Sequence, residues 1–362
     1  DQITEKSHLF RDLGLDSLDL AEIRAFLEGQ FGAQVSVSEK LETVLDLYHA
    51  LAQELNHSLK LQAFIKTLSK WPKEPLRPDV LLPEGKTIQE VFLKTAKRMG
   101  KHIACADSRI HFLSYKQFLI AAIVLAKKFS KLRSKQVGVS LPSSVACYLV
   151  IIALLLSGKV PVILNWTDGK RNLNFAKKSL GLKAVITSYY FLEHAQVVDF
   201  GDLDKNLIFL ENIKQSVTFF DKCFAFLLGS KDPEKLHRYF NLNTVNEHDP
   251  AAILFTSGSE SYPKAVPLSH KNILSNQKAA LEAVTITKKD LLYGVLPPFH
   301  SFGLSATGVF PLLSGLKVFY SSDPTDTQTM VQDIFQNKIT IICLAPTFYK
   351  NLLQMATKRH LR

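Results

Sequence analysis

From residue 86 onward the chain alternates short β-rich runs with helical stretches, and this alternation restricts the possible folds more than any other feature. Helical spacing of apolar residues runs over 88–99, 114–129, 143–156, 173–180 and 348–357. Strand-like runs lie at 136–141 (QVGVSL), 160–164 (VPVIL), 183–187 (KAVIT), 251–255 (AAILF) and 338–344 (KITIICL). Strands separated by helices pair in parallel and take helices on both faces, so the expected class is α/β with mixed, largely parallel sheets. The longest apolar run, 145–156, stops at Ser157. A membrane span needs ~20 such residues, so a buried helix is expected there.

Residues 1–56 read differently. Leu20, Ile23, Leu27 and Phe31 repeat at helical spacing, as do Leu41, Val44, Leu45 and Leu51. A linker is expected over 57–85, because Pro72, Pro75, Pro78 and Pro83 crowd its second half. Charge divides along the same line. Residues 1–56 hold 11 acidic and 4 basic side chains, net −7, so the remainder carries +18 within a whole-chain charge of +11. An acidic small segment beside a basic large one suggests mutual electrostatic recognition. Nucleic acid is not an expected partner, since the lysines are scattered and no basic stripe is interleaved with aromatics. Cys105, Cys147, Cys223 and Cys343 form no CxxC pair, which favours reduced thiols and a cytoplasmic setting. The chain begins Asp1-Gln2 without an apolar leader and is expected to be an internal piece of a longer protein.

Residues 253–270 (ILFTSGSESYPKAVPLSH) concentrate phosphate chemistry. Thr256, Ser257 and Ser259 supply hydroxyls, Gly258 lets the backbone approach, and Lys264 supplies positive charge, all directly after an apolar strand. Pro263 stands before the lysine, so the loop is not a Walker motif. The order Thr-Ser-Gly-Ser-x-x-x-Pro-Lys resembles the phosphate loop of the adenylate-forming superfamily. Residues 137–144, 158–167 and 296–303 (LPPFHSFG) extend the likeness to the acyl-acyl-carrier-protein synthetase branch, which includes synthetase halves of lysophospholipid-acylating enzymes. The resemblance implies that 86–362 is the large N-terminal domain of that fold. It further implies that Thr256, Ser257, Gly258, Ser259, Glu260 and Lys264 bind ATP phosphates, with Thr256 also touching Mg2+. His300 would line the acyl site as the catalytic residue, while His270 is read as structural. Ser261 and Ala265 replace glycines of the family pattern, which is expected to weaken nucleotide binding or slow the loop.

Residues 10–20 (FRDLGLDSLDL) resemble the phosphopantetheine attachment site of acyl carrier proteins, with Ser17 as the attachment point. A serine at a helix N-terminus holds a phosphodiester where the helix dipole favours it. The carrier's usual first helix would precede Asp1, so 1–56 reads as an incomplete carrier.

Together the resemblances imply an AMP-forming fatty acid–acyl carrier protein ligase using ATP, Mg2+ and phosphopantetheine. Its partners would be a fatty acid and a carrier in cis or in trans, with possible peripheral membrane contact of the full-length protein. The family's adenine, ribose and C-terminal lysine motifs would follow Arg362, so residues 1–362 alone are expected to be inactive. Three alternatives fit the same residues: an acyl-CoA ligase, a lipopeptide or polyketide loading module, and a non-catalytic carrier with a vestigial ligase.

Overall fold

The computed structural model describes residues 4, 7, 9, 12–13, 43–46, 71–72, 74–194, 199–256 and 263–358. The chain divides into two compact units, one of 71–352 and one of 1–70 with 353–362. In the second, Thr43 Oγ1 accepts from the Asp46 amide and Asp46 Oδ2 accepts from the Thr43 amide at 2.8 Å, a reciprocal cap on the short helical turn there.

The large unit contains two sheets. The six-stranded sheet has the order β6-β5-β3-β4-β7-β8, formed by Leu207–Phe209, Val185–Thr187, Gln136–Val139, Val160–Ile163, Pro250–Thr256 and Lys264–Ser269. All its pairs are parallel except β7 with β8. The five-stranded sheet has the order β11-β9-β10-β1-β2, formed by Ile341–Ile342, Leu291–Gly294, Lys317–Tyr320, Ile103–Ala106 and Leu113–Ser114. It too is parallel apart from the pair β1 with β2. The mixed, largely parallel α/β arrangement is therefore as expected.

The helix Val145–Leu156 is apolar all round, and the fold buries it all round. It packs on β3, on β4 and on the helices Ile88–Met99 and Tyr115–Phe129, while its Tyr148 ring stacks on Tyr320 of β10 at 4.6 Å. Its N-terminus is doubly satisfied. Ser144 Oγ accepts from the Cys147 amide at 3.1 Å, and buried Asp107 accepts from the Val145 amide at 2.9 Å. All four cysteines are free thiols. No helix among the described residues is long and apolar enough to cross a membrane.

Two expectations shift. The strand expected over 338–344 is reduced to Ile341–Ile342, because Lys338 closes the helix Thr327–Asn337 in a left-handed conformation at φ 54°. The described part of the proline-bearing stretch, from Trp71, is also bound to the large unit. Buried Arg77 donates to the Gly315 carbonyl at 2.7 Å and to the Ile103 carbonyl at 2.9 Å. Trp71 Nε1 donates to Asn337 Oδ1 at 3.2 Å, and the Leu81 amide donates to Ser314. The prolines keep this strap extended, and the guanidinium anchors it by satisfying carbonyls at a helix end and a strand start.

His270 has the structural place read for it. It is 1% exposed, and its Nδ1 accepts from the Ile88 amide at 3.2 Å. Burial pushes its pKa down to about 4, against a weaker opposing pull from Asp249. An imidazole whose folded pKa is depressed stabilises the fold fully above its unfolded value, near 6.5. That contribution is lost as pH falls from there toward 4. The full swing is about 3 kcal/mol at 1.36 kcal/mol per unit. Urea midpoints measured between pH 7 and 4 should fall for the wild type. They should fall less for His270→Asn, whose Oδ1 can accept the same hydrogen bond without titrating. Parallel curves for the two proteins would contradict this role.

Candidate functional site

The site lies at the C-terminal ends of β4, β7 and β9. β3 and β4 are neighbours with opposed exits. β3 leads to β4 through Val145–Leu156, and β4 leads back across β3 to β5 through Gly169–Leu180. Such a reversal opens a crevice above the carboxyl ends of the strands, where open α/β sheets bind ligands. Ser140, just beyond β3, is fully buried, and its Oγ has no partner among the described residues.

β7 supplies the first wall. Its residues Ala251–Leu254 are buried between β4 and β8, with Val162 opposite Ile253 on one side. On the other side β8 runs antiparallel with Thr256 directly opposite Lys264. Directly opposed residues in an antiparallel pair have Cβ atoms about 4.5–5.5 Å apart. The Thr256 and Lys264 side chains therefore leave neighbouring positions at the open end of the β7–β8 pair, and both are exposed. Ser257, Gly258, Ser259 and Glu260 lie outside the described residues, as does Ser17. Ala265 sits in regular register opposite Phe255 and, half-buried, packs against the core cluster that includes Val162 and Ile253. It is not among the residues with positive φ, so a glycine's freedom is not needed at that position.

β4 and β9 supply the second wall. After β4, Asn165 Oδ1 accepts from the Thr167 amide at 3.1 Å, and Asn165 Nδ2 donates to Asp168 at 2.6 Å, fixing the turn Trp166–Asp168. Trp166 meets Phe299 edge-on at 4.8 Å, which joins this turn to the loop after β9. In that loop His300 is exposed and its ring lies against Phe299. The turn is tight. The His300 amide donates to the Pro297 carbonyl at 3.1 Å, and the Leu304 amide donates to the His300 carbonyl at 2.9 Å. A Cβ on Gly303 would lie 2.0 Å from the Pro297 oxygen, so only glycine fits there. A π-helical segment, Gly303–Val309, follows directly; such segments frequently mark functional sites.

Asp168 is a site residue that sequence reasoning missed. Desolvation raises its pKa, and the nearby His300 partly offsets this. The available signal was an Asn-Trp-Thr-Asp run at a strand's carboxyl end. The structure thus brings Thr256 and Lys264 together. It joins His300 to the β4 loop, whose strand borders β7. No group of three or more His, Cys, Asp or Glu side chains among the described residues could hold a metal ion. Thr256 offers one neutral oxygen. That suits magnesium only as a minor ligand, beside the waters and phosphate oxygens this ion usually keeps.

Residues 92–362 match the family model described as AMP-binding enzyme, and residues 1–51 match the one described as phosphopantetheine attachment site. Over 323 residues the chain is 24% identical to the long-chain-fatty-acid–CoA ligase of Bacillus subtilis, covering 81% of this chain and 56% of that protein. The inhibitor-bound N-terminal domain of FACL13 from Mycobacterium tuberculosis shares the fold, with a TM-score of 0.61 at 19% identity, over 77% of this chain and 67% of that one. So does O-succinylbenzoate coenzyme A synthetase from Bacillus subtilis, solved with ATP and magnesium ion. Its TM-score is 0.57 at 16% identity, over 73% of this chain and 65% of that one. The chain spans 36% and 56% of the length of two curated relatives that it matches.

The electrostatic influence of His300 on Asp168 is open to direct titration. If the imidazole lowers the carboxyl's pKa, His300→Ala should move the Asp168 midpoint upward in a 13C-carboxyl NMR titration. An unmoved midpoint would show that the β4 and β9 loops do not meet as described.

Proposed function

The chain belongs to the AMP-binding enzyme family, and from that membership we propose that it carries the phosphate-binding and acyl-facing part of an ATP-dependent fatty acid ligase that loads a carrier segment of the same chain. The observation that carries the reading is Thr256 opposite Lys264, exposed at the carboxyl end of β7. The domain limits proposed are 1–56 for the carrier, 57–85 for the connecting stretch, whose part from Trp71 lies on the large unit, and 86–362 for the adenylating part.

In the first step a fatty-acid carboxylate oxygen attacks the α-phosphorus of ATP. The bond to the β-phosphate breaks, pyrophosphate leaves, and acyl-AMP remains. Negative charge grows on the leaving pyrophosphate. A lysine ammonium and a threonine hydroxyl carried on opposed positions of one strand pair would stabilise it. Ser257, Gly258, Ser259 and Glu260 would complete the cradle with hydroxyls and backbone amides, and Thr256 Oγ1 would add one oxygen to an accompanying Mg2+. His300, held by the Pro297–Gly303 turn, would orient the carboxylate. A phosphopantetheine arm on Ser17 would supply the thiol that accepts the acyl group. The match of residues 1–51 to an attachment-site model supports an acceptor in cis. The fusion would keep its local concentration high.

An acyl-CoA ligase is the second reading. It is supported by the resemblance to a long-chain-fatty-acid–CoA ligase. The two readings share the first step and differ only in the acceptor.

Lys264→Ala in the full-length protein tests the shared step. Removing one preorganised charge contact costs about 2–4 kcal/mol of transition-state stabilisation, or roughly 30- to 1000-fold in rate. ATP–pyrophosphate exchange should fall by that factor while the urea midpoint stays near wild type, because Lys264 is exposed. Exchange within twofold of wild type would remove Lys264 from the site.

A further inference from the structure

The helix Phe219–Gly229 has an outer face that neither the core nor the proposed reaction uses. Phe219 is 74% exposed, Phe220 82%, Phe226 51% and Leu227 65%. At 3.6 residues per turn these four fall within one arc of about 120°. The opposite face is firmly held. Thr218 and Asp221 form a capping box at its start. Buried Asp221 pairs with Lys127 at 2.9 Å and Lys128 at 3.1 Å on the helix Tyr115–Phe129. Ala225 is fully buried, and Gly229 lies close to Ile120 and Ile123. The apolar stripe is therefore displayed by a fixed helix.

We propose that this face docks on an anionic lipid bilayer, with the three phenyl rings and Leu227 entering the interface. Contiguous exposed apolar surface on a folded protein marks an interaction site. Side chains more than half exposed stand out from the surface, which suits insertion into a deformable apolar phase. A helix lying in the plane of a bilayer buries such a stripe at the boundary of headgroup and acyl chain, and lysines beside it meet the headgroups. The lysines are present. Lys222 and Lys231 are exposed on and just after the helix. Lys116 Nζ lies 4.8 Å from the centroid of Phe226, on the same outer face. Two of the neighbouring carboxylates are already engaged, Asp221 as above and Asp232 with Lys97 at 3.0 Å, while exposed Glu234 stands against Lys222, Lys231 and Lys116. That leaves a local surface matched in sign to anionic headgroups. The inference does not depend on the acyl-activating reading, and its test needs no substrate.

The experiment is sedimentation of the 1–362 chain with phosphatidylcholine vesicles, with and without phosphatidylglycerol. The wild type should bind vesicles containing phosphatidylglycerol, and added salt should weaken that binding. Phe219→Ser with Phe220→Ser should reduce partitioning at least about tenfold, since each ring withdraws its apolar area from the bilayer. The urea midpoint should stay unchanged. Lys222→Gln with Lys231→Gln should weaken binding only where phosphatidylglycerol is present. The proposal is overturned if the wild type ignores anionic vesicles, or if the double serine variant binds them equally well. It is also overturned if the wild type binds no vesicles and the double serine variant instead dissociates a dimer in sedimentation velocity; the face would then be a contact between copies of the chain.

Discussion

Tyr148 donates its buried hydroxyl to the Gly303 carbonyl across 3.1 Å, and through that bond the central helix Val145–Leu156 governs the turn that presents His300. The helix touches both sheets, and burying each of its Val, Ile and Leu side chains contributes about 1.5–3 kcal/mol. A phenol placed in such a core must find an acceptor, or its desolvation costs about 1–3 kcal/mol. The acceptor it finds is the first carbonyl of the π-helical segment. Gly308 gives the ring its space, since a Cβ there would lie 2.1 Å from Tyr148, and Tyr320 closes the arrangement by donating to the Gly308 carbonyl at 2.7 Å. Core packing and presentation of the site are thus one arrangement, reached from opposite ends of the same tyrosine.

Two histidines sit in opposite environments. His270 is enclosed, kept neutral by burial, and consumed as an acceptor at the start of the helix Ile88–Met99. His300 is exposed at the crevice, braced by Phe299 on one side and influencing Asp168 on the other. The first can do no chemistry without unfolding its surroundings. The second has an open face, which leaves its ring free to meet a ligand.

The helix Ile88–Met99 was legible to the residue and Val145–Leu156 to within two residues at its start, because a capped amphipathic pattern and an uninterrupted apolar run each have one good solution. The strand β7 was legible for the same reason, being an apolar run bounded by turn residues. The division into two sheets was not. Nothing local distinguishes β3 from β9; only the long-range pairings β1 with β10 and β4 with β7 do so. β8 was hidden because Lys264-Ala265-Val266-Pro267 reads as loop chemistry, although its lysine is paired opposite Thr256. In the site, Lys264 and His300 announced themselves through the motifs that hold them. Asp168 did not, because its nearness to His300 comes from the contact of Trp166 with Phe299, between residues far apart in sequence.

The central claim is that a phosphate-binding hairpin and the acceptor of the acyl group it activates belong to one chain. Intact-protein mass spectrometry of the full-length protein, treated with a phosphopantetheinyl transferase and then with fatty acid, ATP and Mg2+, tests it most directly. The account predicts a phosphopantetheine mass mapping to Ser17, followed by the mass of the acyl group, and loss of both in Ser17→Ala. An unmodified Ser17, with acyl-coenzyme A accumulating when coenzyme A is supplied, would contradict it.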